Sequence, residues 1–149
     1  MSAETDLIKL YSGRILNLAS SIPNAGRLDA PDASVTKRSP LCGSTVTVDV
    51  RLEDGRVAET KQDVKACALG QASAAVVGDA APGMTLGEVE QGRDQLRAML
   101  KGGPVPDGAW SGFEVLEPAR DYRNRHASIL LSVEALAEAM RQAEQAESA

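Results

Sequence analysis

Histidine occurs once in these 149 residues, as His126, and cysteine twice, as Cys42 and Cys67. So small a set excludes the dense disulfide frameworks of secreted mini-domains and the repeated Cys/His pairs of zinc fingers. Aromatic side chains are nearly as few: Tyr11, Trp110, Phe113 and Tyr122. The core must therefore be built from Leu, Val, Ile and Ala. Positive charge does not predominate, since the net charge is −5 and the basic residues form only local spots, Lys37-Arg38 and the cluster Arg120, Arg123, Arg125. That balance argues against a nucleic-acid partner and leaves the spots as protein-facing or solvated surface. No apolar run reaches the ~18 residues of a membrane span. Glu4 and Asp6 stand where a signal peptide would carry positive charge. The expectation is a soluble, cytoplasmic protein with no membrane partner, its two thiols kept reduced. A Gly-rich phosphate loop is also lacking, because Gly102-Gly103 has no following Lys-Ser/Thr.

What is present suits one domain over residues 1–149. Leu7, Tyr11, Ile15, Leu18 and Ile22 recur at helical spacing and predict an amphipathic helix over 5–22, ended by Pro23-Asn24-Ala25-Gly26. Pro31 to Pro40 reads as extended, with Val35 in a weak strand. The clearest strand runs from Ser44 to Glu53, where Val46, Val48, Val50 and Leu52 alternate with polar residues. Asp54-Gly55 then supplies a hairpin turn, and the polar return strand Val57 to Val64 suits a sheet edge. Small residues fill Ala68 to Asp79, a helix expected to pack closely on the sheet. Leu86 to Lys101 holds helical turns interrupted by Gly92, Gly102 to Gly112 reads as a loop, and a last helix runs from about His126 to Glu147. Strands come before most of the helices, so the expected class is α+β, a small antiparallel sheet of about three strands packed with helices.

Chemistry centres on the three rare side chains. Cys42 lies in Pro40-Leu41-Cys42-Gly43, just before the strongest strand, where Gly43 allows a tight turn. Cys67 opens a helix, and unpaired backbone N–H groups there favour the thiolate. His126 opens the last helix, where the positive end of the dipole disfavours imidazolium and keeps a lone pair free. Each could instead be an ordinary buried residue. Together they form a Cys₂His set that zinc accepts with a fourth position open, and iron–sulfur clusters use such ligands too.

These segments resemble one known family. Arg38-Ser39-Pro40-Leu41-Cys42-Gly43-Ser44 resembles the Asn-Pro-x-Cys-Gly-Asp of the iron–sulfur cluster assembly scaffolds of the IscU, SufU and NifU N-terminal type. Lys65 to Ala74 resembles their Gly-Cys-x-Ile-Ser-x-Ala-Ser-Ala, and Arg123 to Leu130 their final ligand segment. The stretch from Pro82 to Trp110 is similar to the insertion of the SufU-like branch. Two family ligands differ: Ser44 stands for the carboxylate, and either Ala127 or His126 stands for the third cysteine, depending on which branch is aligned. The resemblance implies a scaffold or sulfur acceptor, not an enzyme, that binds iron, zinc or a transient cluster through Cys42, Cys67 and His126. It also implies a cysteine desulfurase partner, with Cys42 as candidate persulfide acceptor, and downstream apo iron–sulfur proteins or a carrier. The missing ligands keep two alternatives open, a zinc-binding regulatory module on the same fold and a zinc-dependent sulfurtransferase.

Overall fold

The alternating segment 44–53 becomes the middle of a three-stranded antiparallel sheet in the computed structural model, which describes residues 13–40 and 43–148. The strands β1 (Ala33–Arg38), β2 (Thr45–Glu53) and β3 (Arg56–Lys65) lie in the order β1-β2-β3, with Val35 opposite Val48 and Val50 opposite Thr60. The polar strand β3 is indeed at an edge. Val46, Val48, Val50 and Leu52 point into the core, as period-two patterning requires. Asp54 and Gly55 both adopt positive φ, 53° and 76°, and close the hairpin.

Four described helices accompany the sheet: α1 (Gly13–Ser20), α2 (Ala68–Ala80), α3 (Leu86–Leu100) and α4 (Arg123–Ser148). The long α4 lies across β1 and β2, burying Ile129, Val133, Leu136 and Met140, and Glu138 pairs with Lys37 of β1 at 2.9 Å. Helix α1 buries Ile15 and ends at Ser20, so Ile22 falls in the following turn, while Leu7 and Tyr11 lie outside the described residues.

Helix α2 corrects one expectation. Its main neighbours are α1 and α4, and it touches the sheet chiefly along β3. Because α4 already covers the sheet face, α2 is buried nearly all round, from Leu69 to Gly78 apart from half-buried Gln71. Only small residues permit that. A Cβ on Gly78 would lie 2.6 Å from the Pro23 carbonyl oxygen, and one on Gly70 would lie 2.6 Å from Ser128 Oγ. Buried polar groups then fasten the layers. Gln62 Nε2 donates to the Ala74 carbonyl at 2.7 Å, Ser132 Oγ donates to Gln62 Oε1 at 2.8 Å, and Ser73 Oγ donates to the Ile129 carbonyl at 2.6 Å. These bonds hold the start of α4 in register with α2 and β3.

Two further readings change. Helix α3 runs unbroken through Gly92, because the missing side chain makes room for an indole: a Cβ there would lie 2.2 Å from Trp110 Cε2. The supposed loop gives way at Gly108 to a 3₁₀ segment, Gly108–Asp121. Side chains three apart align in such a helix, and Trp110, Phe113, Leu116 and Ala119 are all buried. Trp110 stacks on Phe113 with centroids 5.5 Å apart and donates from Nε1 to the Glu88 carbonyl at 3.1 Å.

On the opposite sheet face, Asp49 is buried beneath the 24–30 loop. It accepts from Arg27 Nε at 2.7 Å, from the Leu28 amide at 2.9 Å and from Ser34 Oγ. Burial works against its charge, but the Arg27, Ser34 and Leu28 hydrogen bonds outweigh that and hold its carboxyl below the usual range.

Candidate functional site

Strand β3 ends at Lys65, and two residues later Cys67 is the N-cap of α2, with extended backbone angles of φ −66° and ψ 169°. Its thiol is half-buried and makes no capping bond. The Sγ atom lies 3.6 Å from Ser128 Oγ, and that hydroxyl lies 2.9 Å from Ser44 Oγ. Both serines are buried, at 3% and 1% exposure for Ser44 and Ser128. A line of three side chains thus joins the strand-to-helix junction at Cys67, the first turns of α4 and the entry to β2. Gly70 makes this approach possible, since any side chain there would collide with Ser128.

The surroundings favour the thiolate. Burial raises the Cys67 pKa, but the Gly70 amide, the Ser128 hydroxyl, the Arg125 side chain and the Leu69 amide together outweigh it, so the thiol titrates below its ordinary range. The helix N-terminus adds its partial positive charge in the same sense. A thiolate is the form that attacks sulfur and binds metal.

His126 is differently occupied. Its Nε2 lies 3.1 Å from the Ala119 carbonyl and 3.0 Å from the Arg120 carbonyl. Facing two acceptors, Nε2 must carry a proton and donate it, which leaves Nδ1 as the only ring nitrogen that can offer a lone pair. A metal would therefore be taken through Nδ1, while the other nitrogen ties the end of the 3₁₀ segment to α4. Cys42 lies outside the described residues. The structure accordingly brings Cys67 together with Ser44, and shows His126 turned toward the carbonyls that precede α4. Among the described residues no group of three or more His, Cys, Asp and Glu side chains gathers for a metal ion. The donors around Cys67 are hydroxyls, which are weaker ligands than carboxylates.

Sequence reasoning assigned no role to Ser128 or Arg125. Ser128 did carry a signal: it and Ser132 stand four apart on the apolar face of α4, where a hydroxyl is kept only with a partner. Arg125 had none beyond its place in a basic cluster.

A hydrogen-bonded thiol at a strand-to-helix junction, flanked by an antiparallel sheet, marks an α+β protein with a thiol at its candidate site. The comparisons narrow this to one family. The NifU-like N terminal domain matches residues 10–127. The chain is 27% identical over 134 residues to the iron-sulfur cluster assembly scaffold protein IscU of Thermotoga maritima, covering 89% of this chain and 93% of that protein. It superposes on the crystal structure of the NifU-like N-terminal protein from Brucella abortus with a TM-score of 0.90 and 44% identity, covering 94% of this chain and 98% of the other. A SufU-type scaffold structure from Fervidobacterium islandicum shares the fold at a TM-score of 0.80 and 20% identity, over 88% and 96% of the two chains. The chain belongs to the NifU-like N-terminal domain family, that of the iron–sulfur cluster assembly scaffolds, which are scaffolds and not enzymes. Among the described residues no helix is long and apolar enough to cross a membrane.

Proposed function

We propose that this chain takes sulfur from a cysteine desulfurase onto Cys42 or Cys67 and holds iron, zinc or a nascent cluster on those sulfurs, with His126 as the third ligand after the start of α4 turns its Nδ1 from the cleft side toward Cys67. The observation that carries the reading is the Cys67 thiol, set at the head of α2 and flanked by Ser128, Arg125 and two backbone amides. Cys42 stays the preferred first acceptor, because the loop expected around it from the sequence is a freer setting for a thiol than a helix start. In the transfer step a scaffold thiolate attacks the outer sulfur of the donor's persulfide. The donor's S–S bond breaks, its cysteine leaves as thiolate, and the new persulfide carries the sulfur with no net oxidation. Iron and sulfide are the cargo. The finished cluster would pass to apo iron–sulfur proteins or a carrier.

The test is mass spectrometry of the protein after incubation with a desulfurase, pyridoxal phosphate and cysteine. Added mass of one sulfur is expected on wild type and reduced labelling on Cys42→Ser and Cys67→Ser, whereas a wild type that gains none removes the acceptor role. The hydroxyl in place of a carboxylate at Ser44 supports the second reading, a zinc module. Anaerobic reconstitution separates the two, since cluster absorption bands belong to the scaffold, and tightly bound zinc without them belongs to the module.

A further inference from the structure

The first two turns of α4 serve two sides. Arg125 and Ser128 face Cys67, whereas Arg123 and His126 line an open cleft of about 640 Å³ completed by Leu100, Lys101, Gly102, Arg120 and Asp121. His126 and Ser128 are two residues apart and so point to different sides of the helix, which puts the cleft and the thiol on two faces of one short stretch of α4. The cleft lining carries three fixed positive charges, on Lys101, Arg120 and Arg123, against the single carboxylate of Asp121. Arg120 is engaged by Glu117 at 2.6 Å. The Lys101 and Arg123 side chains have no ion-pair partner among the described residues, and both are exposed. Around this basic cleft the protein is acidic, with a net charge of −5.

We infer that this cleft docks an acidic, Glu/Asp-rich segment of the protein that brings sulfur to the site, an inference that rests on the sulfur-acceptor reading above. Charge complementarity selects the occupant. An acidic partner is repelled by most of this surface and attracted here, which both steers the encounter and fixes its docking position at the start of α4, the helix whose other face meets Cys67. The cleft is too large for one carboxylate and matches several residues of extended chain. His126, holding the Ala119 and Arg120 carbonyls, fixes the wall that carries Arg120.

The experiment uses the full chain and fluorescein-labelled hexaglutamate as probe, read by anisotropy at low salt, with inorganic phosphate as competitor at matched ionic strength. Wild type should bind the peptide, Lys101→Glu/Arg123→Glu should bind it about tenfold more weakly, and the remote reversal Arg14→Glu/Lys61→Glu should bind as wild type does. In the desulfurase assay the cleft variant should show a similarly raised KM for the scaffold, with kcat kept. The inference is overturned if hexaglutamate does not bind, if both double variants lose it equally, if phosphate displaces it at equal concentration, or if KM is unmoved. A wild type that accepts no sulfur defeats the acceptor reading instead, and the peptide titration still decides what the cleft binds.

Discussion

Helices α2 and α3 begin with nearly the same backbone and opposite chemistry. Thr85 caps α3 at φ −84° and ψ 165°, accepts from the Glu88 amide at 3.2 Å, and receives the Glu88 carboxylate on its own amide at 3.1 Å. That reciprocal box satisfies the orphan donors of the first turn. Cys67 caps α2 at φ −66° and ψ 169°, yet its neutral thiol caps nothing, and the third helical position is Gly70, which has no side chain to reach back. The same free amides that Thr85 neutralises are left at Cys67 to stabilise a thiolate. One helix start is spent on stability, the other is held open for chemistry.

Cys67→Ser breaks the comparison most severely. Serine is a strong N-cap and nearly isosteric with cysteine, so the variant should gain roughly 0.5–1 kcal/mol in urea unfolding while losing sulfur acceptance at this position altogether. A variant less stable than wild type would show that the thiol itself supports the fold. Thr85→Ala is the converse and comes next in size. It should lose about 1 kcal/mol of stability and leave the alkylation rate of Cys67, read on its own peptide by mass spectrometry, unchanged. A slowed Cys67 would mean that α3 and the thiol are coupled.

What could be read from residues alone follows the same division. The alternating valines of β2, the Asp54-Gly55 turn and the spacing of Ile129, Val133, Leu136 and Met140 encode local periods, and each forms the element expected. Cys67 at a helix start was legible because a small-residue helix follows it directly. Position relative to other elements was not legible. Nothing local says that α4 covers the sheet and leaves α2 between helices, or that the His126 ring meets the carbonyls of Ala119 and Arg120. The period of three in Trp110, Phe113, Leu116 and Ala119 was visible, but 3₁₀ runs of this length are uncommon and the glycines around them read as loop. Ser128 meets Cys67 across 61 residues of chain, a distance over which no repeat or motif in one sequence reports.

That contact gives the smallest expected effect and the finest test of the comparison. If the α2 start is tuned for a thiolate, removing one donor should shift it without unfolding it. Ser128→Ala takes away the hydroxyl beside Sγ and leaves Gly70, Leu69 and Arg125 in place. The thiol pKa should rise toward its ordinary value, so less thiolate is present at neutral pH. The pH profile of Cys67 alkylation should move to higher pH, with the rate at pH 7 reduced about twofold, as suits the loss of one weak hydrogen bond, and with the same plateau once the thiol is fully ionised. The unchanged plateau is the informative part, because a general loosening around the thiol would alter access and therefore the limiting rate. An unmoved profile would mean that the amides and Arg125 alone hold the thiolate, and that Ser128 serves only to satisfy Ser44.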